Sequence, residues 1–296
     1  MCYFCSVKNL NDIISPVAAE LKQFEAFFAQ TLKSDTEPMD SIMRYVVDTH
    51  GKRLRPILVL LGAKLFGDVN EQALRAATFV EMVHNATLLH DDVVDDADQR
   101  RNKASVKARF GNLSAVLAGD YLLAKAMLLL TEPDDRAILQ EMLRTTAAMS
   151  EGELMQDKAF EGTDTLAPPS MSYRPTLGGS VSMDGGARYD MPSKAVQYLE
   201  IITRKTALLM QSCCAAGALS VNATAEQVQQ ISDFGLNFGI LFQLRDDLLD
   251  GEHTEQATTL LPVFYEKTLQ ILDGFTPSEI VETLKELTRF CAEREA

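Results

Sequence analysis

Basic residues are scarce in this 296-residue chain: 28 lysines and arginines stand against 42 aspartates and glutamates, a formal net charge of −14. That balance argues against a nucleic-acid binder, because phosphates demand a basic face. It fits a protein that commits carboxylates to metal ions. Cysteine is sparse too. The five present, Cys2, Cys5, Cys213, Cys214 and Cys291, follow no framework spacing, and their odd number points to a reducing compartment. No second Cys or His pair completes a zinc site with Cys2 and Cys5, which read as free thiols. No uninterrupted apolar run reaches the roughly 20 residues of a spanning helix. The start of the chain lacks the basic flank and apolar core of a signal peptide. A cytoplasmic protein with no transmembrane segment is expected. Alternating runs closed by Asn-Gly or Asp-Gly turns are missing, which leaves little room for sheet.

What is present is helical periodicity. Residues 8 to 160 read as helix after helix. The run from Pro56 suits a buried helix, and the segment from Leu113 to Leu130, apolar nearly all round, is expected at the centre of a bundle. From Glu161 to Ser193 the pattern breaks: the stretch holds Pro168, Pro169, Pro175 and Pro192 together with Gly178, Gly179, Gly185 and Gly186. A loop of that length is a lid or an insertion. Helices resume and end in two shorter ones, after a loop expected at 251–261. The fold class is all-α: one domain over 1–296, a single large helical bundle.

Two acidic motifs carry the chemistry. Asp91-Asp92-Val93-Val94-Asp95, followed by Asp96, places Asp91 and Asp95 on one helical face. No basic residue falls between Asp91 and Asp98 to relieve the repulsion, whereas a hard divalent cation would; magnesium binds through one or two carboxylates plus substrate phosphates. Asp246-Asp247-Leu248-Leu249-Asp250 repeats the spacing, again at the end of an apolar helix. Two such motifs suggest carboxylate walls facing across a cavity with a metal-diphosphate cluster between them. The segment Gly51-Lys52-Arg53-Leu54-Arg55-Pro56 opens an apolar helix and makes an anion site. Arg100-Arg101 and Lys205-Thr206 add further polar groups. His84 lies about two helical turns before Asp91, roughly on its face.

In this order, GKRLRP, LLHDDVVDDADQRR, RKT and FQLRDDLLD resemble the trans-isoprenyl diphosphate synthase family over most of residues 8 to 262. HNATLLHDDVVD is most similar to its long-chain polyprenyl branch. The resemblance implies a deep central cavity, a homodimer, Mg2+ as cofactor, and isopentenyl diphosphate plus an allylic diphosphate (farnesyl or geranyl) as substrates. It implies a metal set of Asp91, Asp92, Asp95, Asp246, Asp247 and Asp250. Lys52, Arg53, His84 and Arg101 match positions that hold isopentenyl diphosphate. Arg100, Lys205, Thr206 and Gln243 match those that grip the allylic diphosphate. Asp91, Asp92, Asp95, Asp246 and Lys205 would form the catalytic set. Ala86 and Thr87, about a turn below Asp91, would bound the growing tail, with Met82, Phe79, Tyr121 and Met127 as deeper candidates for its floor. The small Ala86 predicts products longer than geranylgeranyl diphosphate. Two departures stand out: no lysine follows Asp250 before Pro262, and the final helices look trimmed. They leave a non-catalytic subunit of a heteromeric synthase as an alternative, followed by a short-chain synthase and a class I terpene cyclase.

Overall fold

The computed structural model describes residues 9–49, 51–156 and 193–294. Cys2, Cys5 and the Pro/Gly-rich stretch lie outside them, except Ser193. The described chain is helical throughout apart from one small hairpin. Four short or medium helices lead in: α1 (Leu10–Ile13), α2 (Ala18–Leu32), α3 (Met39–Asp48) and α4 (Leu54–Lys64). The long α5 (Glu71–Val94) carries the first acidic motif at its end. After it come β1 (Gln99–Arg100), β2 (Lys103–Ala104), α6 (Val106–Phe110), α7 (Asn112–Leu129) and α8 (Arg136–Gln156). Then α9 (Ser193–Ile202) runs through a π-helical turn (Thr203–Ala207) into α10 (Leu208–Ser220). The chain continues with α11 (Ala225–Asp250), α12 (Thr254–Asp273) and α13 (Glu279–Glu293).

The centre is α10, not α7. Every residue of α10 except Leu219 is buried, and it packs on α4, α5, α8 and α11. Its cysteines, alanines, serines and Gly217 are small enough for neighbours to approach on all sides. A Cβ at Gly217 would stand 2.1 Å from the Val59 carbonyl oxygen on α4. Gly217→Ala is therefore expected to cost about 1–3 kcal/mol through overpacking. A urea midpoint equal to that of the parent would contradict it.

Helix α7 is as apolar as the sequence suggests, yet only one side of it is covered. Ala115, Ala118, Gly119, Leu122 and Ala126 are buried, mainly against α5. On the other side Leu113, Val116, Leu117, Met127 and Leu128 are exposed, Leu113 by 72% and Leu128 by 69%. Composition gives apolarity; it does not say which apolar helix the bundle encloses.

Two long helices set the site by how they start and stop. The Asn70 side chain accepts from the Ala73 N–H at 2.9 Å and caps α5. Thr224 and Gln227 form a reciprocal capping box on α11. Gly251, at φ +74°, ends α11 and returns its N–H to the Asp247 carbonyl; a left-handed stop of this kind favours glycine. The expected loop at 251–261 shrinks to a tight turn, since α12 begins at Thr254 and continues through Pro262.

Candidate active site

At the end of α5, Asp92 is buried and Asp91 half-buried, while Asp95 is exposed. The hairpin folds back over them. Its turn residues Arg101 and Asn102 both have positive φ, +53° and +61°, as a tight two-residue β turn requires. Arg100 is thereby aimed at Asp92, donating from Nε at 2.9 Å and Nη2 at 2.7 Å to Oδ1. Lys107 on α6 reaches Asp96 at 2.5 Å and Asp98 at 3.1 Å. The repulsion of this acidic run is thus relieved from beyond it at Asp92, Asp96 and Asp98. Burial, then the charges of Glu153 and Asp95, push the Asp91 carboxyl up to about 6.

The second motif ends α11. Asp247 is buried, and both its oxygens are occupied: Gln243 Nε2 donates to Oδ1 at 2.7 Å, and the Tyr198 hydroxyl donates to Oδ2. Thr206 continues the chain, donating to Gln243 Oε1 at 2.8 Å. Asp246 is pushed upward by burial and accepts a hydrogen bond from Arg294 Nη2. Asp250 is exposed. Thr206 sits in the π-helical turn beside Lys205, whose Nζ lies 2.9 Å from Glu153 and 3.0 Å from Gln156. A π turn inside a longer helix often marks a functional position; here it presents Lys205 and Thr206 to two different helices.

Between α4, α5, α11 and α13 lies a cavity of about 520 Å³. It is lined by the basic residues Lys52, Arg53, Arg55, His84, Arg101 and Arg294 and by the apolar Phe238, Phe242, Leu287 and Phe290. The six are not equivalent. Arg53, buried at φ +54°, is committed to Glu25 (Nε, 2.9 Å) and Glu81 (Nη1, 2.6 Å), with its guanidinium 4.7 Å from the Phe28 ring centre. Arg55 instead donates from Nη1 to His84 Nε2 at 3.0 Å. Burial, aided by Arg55, Arg101, Arg100 and Arg53, holds His84 well below the usual histidine range, so the ring is neutral. Arg101 donates to the Thr49 carbonyl at 3.0 Å. Its guanidinium lies over Gly51, where a Cβ would come within 2.7 Å of it. Lys52 is exposed at the rim.

The Nε atoms of Arg55 and Arg294 are buried without an acceptor. Leaving a buried donor unpaired costs about 1–3 kcal/mol, more for a charged group. Both residues line this cavity, and their side chains place positive charge at its wall. The sequence motif contains Arg55 without giving it a role of its own, and Arg294 and Tyr198 escape sequence reasoning altogether. Nothing local marks the last two, whose partners lie far along the chain.

The carboxylates fit a hard divalent ion by chemistry: they are oxygen donors, and burial raises the carboxyls of Asp91 and Asp246. Among the described residues they do not converge into a ready-made cluster of three ligands; each motif stays on its own helix. Ala86 is fully buried on α5, and half-buried Thr87 bonds the His84 carbonyl at 2.9 Å. Of the deeper residues, Met82 and Phe79 are buried, whereas Met127 faces outward and is withdrawn as a floor.

A family model described as Polyprenyl synthetase matches residues 36–259. The chain is 33% identical over 250 residues to the all-trans-nonaprenyl-diphosphate synthase (geranyl-diphosphate specific) of Rhodobacter capsulatus, covering 84% of this chain and 67% of that protein. It is 30% identical over 242 residues to the octaprenyl diphosphate synthase of Escherichia coli, covering 82% and 66%. The chain thus spans about two thirds of the length of these curated relatives. The crystal structure of a polyprenyl synthase from Caulobacter crescentus, complexed with calcium and isoprenyl diphosphate, matches with a TM-score of 0.80 at 25% identity, over 98% of this chain and 99% of that one.

Proposed function

Because the chain belongs to the polyprenyl synthetase family, we propose that it is a trans-prenyltransferase. It condenses isopentenyl diphosphate with an allylic diphosphate and makes all-trans polyprenyl diphosphates longer than geranylgeranyl. The observation that carries the reading is the pairing of two carboxylate motifs, at the ends of α5 and α11, with a cavity lined by Lys52, Arg55, His84, Arg101 and Arg294. One chain forms one catalytic unit, and farnesyl or geranyl diphosphate is the primer.

Asp91 and Asp95 from one motif, and Asp246 and Asp250 from the other, would hold Mg2+ against the allylic diphosphate. When bound, the ion offsets charge on the leaving diphosphate. Asp92, whose Oδ1 takes both bonds from Arg100, and Asp247, bonded through both oxygens by Gln243 and Tyr198, keep the two helix ends in place. Lys205, Thr206, Gln243 and Arg100 orient the allylic diphosphate. Lys52, Arg55, His84 and Arg101 hold isopentenyl diphosphate through charge-assisted hydrogen bonds; Arg53 shapes their loop. The double bond of isopentenyl diphosphate attacks the allylic cation, and the proton lost goes to the departed diphosphate. Apolar walls keep water from the cation. No protein nucleophile is needed.

Incubating the protein with magnesium, isopentenyl diphosphate and farnesyl diphosphate tests the reading. Linear products longer than geranylgeranyl support it. No turnover would favour a non-catalytic subunit, and hydrocarbon products a cyclase.

The exposed stripe on α7 supports a homodimer. An uncovered row of Leu113, Val116, Leu117 and Leu128 is more apolar than a free surface tolerates, and a second copy would bury it against its own equivalent. By length and composition α7 is the one helix among the described residues that is long and apolar enough to cross a membrane. It carries Asp120 and Lys125, and one side of it is packed within the bundle, so we read an interface rather than a span. Leu117→Glu combined with Leu128→Glu is expected to shift the protein from dimer to monomer in light scattering. A variant that stays dimeric would move the interface elsewhere. The unpaired, buried Cys213, Cys214 and Cys291 support a cytoplasmic location.

A further inference from the structure

We propose that Arg294 couples the two diphosphate sites: held on Asp246, its guanidinium is released to the diphosphate in the basic cavity when Asp246 is neutralised. The inference rests on the reading of that cavity as the isopentenyl diphosphate site. Arg294 is built for an exchange of this kind. Its carbonyl oxygen is anchored by Arg245, whose Nε donates at 2.9 Å, so the backbone is fixed while the side chain can turn. The guanidinium stacks 4.2 Å from the centre of the Phe242 ring, and that ring lines the cavity. Nη2 donates to Asp246 Oδ1 and, at 3.3 Å, to the Phe242 carbonyl. Nε has no acceptor. The residue therefore lies on the boundary, with one edge on the second acidic motif and its side chain lining the basic cavity.

Two anions compete for this one cation. Asp246 holds it while the aspartate is charged and alone. Any group that neutralises Asp246, a divalent ion above all, weakens that hold and frees Arg294 for the diphosphate. Coupling of this kind is reciprocal: filling either site favours filling the other. It also supplies a cation near the second motif, where the sequence has no lysine between Asp250 and Pro262.

The test is calorimetric titration with isopentenyl diphosphate alone, in buffer containing a chelator, so that neither metal nor turnover contributes. Asp246→Asn mimics neutralisation and is expected to bind about 10-fold tighter than the parent, within the usual range of site-to-site coupling. Arg294→Gln is expected to bind no tighter than the parent. In the double variant the gain from Asp246→Asn should vanish. If the double variant gains as much as Asp246→Asn alone, the effect is general electrostatics and the proposal is overturned. An Asp246→Asn protein that binds no tighter than the parent overturns it too. A parent protein that binds no isopentenyl diphosphate overturns the cavity reading itself, which separates the two failures. Arg294→Lys serves where Arg294→Gln does not fold. With charge kept but the fork lost, it should retain part of the gain, and an undiminished gain would count against Arg294.

Discussion

Asp91→Asn is expected to lower kcat by about 10²–10³-fold, the loss typical of removing one electrostatic contact to the transition state. The metal-free variant should nevertheless melt higher than the parent at neutral pH. Both outcomes follow from the same placement. Asp91 is half-buried near Glu153 and Asp95, and its carboxyl is raised from 3.8 to about 6. Between those values the folded chain keeps a proton that the unfolded chain has released, so stability falls as pH rises through the window. The destabilisation is complete above about pH 6 and absent below 3.8. Asparagine never ionises. The melting difference between variant and parent should therefore be widest above pH 6 and close toward the acid end. Steady-state kinetics and melts of chelated protein across that range check it. Full turnover would remove Asp91 from the metal site, and a melting difference independent of pH would contradict the raised carboxyl.

Ala86→Phe is expected to shorten the products toward farnesyl or geranylgeranyl while consumption of the first isopentenyl unit persists. On the proposed reading a growing tail would leave the diphosphate sites and run along α5, where Ala86 lies about a turn below Asp91. The residue is fully buried, as are Met82 and Phe79 further along the helix. On that reading a ring there would narrow the path of the tail. Overpacking a full core position costs about 1–3 kcal/mol, so melts must accompany product chromatography. An unchanged product distribution from a folded variant would show that the tail does not pass Ala86.

Those parts of the site that neighbouring residues spell out are legible in the sequence. Asp91 and Asp95 share a helical face because of their spacing, and helical periodicity is enough for the all-α class. What depends on distant partners is not legible there. Nothing around Arg53 reveals that Glu25 and Glu81 will claim it, leaving Arg55 to meet His84. The first motif looks unrelieved along the chain because Arg100 and Lys107 return to it only once the hairpin has turned. Tyr198 and Arg294 reach Asp247 and Asp246 across 49 and 48 residues. The central position of α10 is hidden for a related reason. Small residues are unobtrusive in sequence, and only their packing on four neighbours shows why they are small. Pro262 would ordinarily break a helix, yet α12 runs through it.

The π-helical turn at Thr203–Ala207 makes the joined α9–α10 rod a splice between two phases. Upstream, the rod turns Tyr198 toward the second acidic motif; downstream, it turns Gly217 into the crowded contact with α4. An unbroken α-helix locks the angular position of every residue to that of every other, about 100° per step. The wide turn breaks this lock, so the two ends can satisfy demands that a regular helix could not meet together. Deleting one residue there would give a more regular rod whose halves no longer agree: either the site or the core would be rotated out of place. The irregularity works as a hinge frozen in the sequence, and it lets selection adjust catalysis on one side without re-threading the packing on the other.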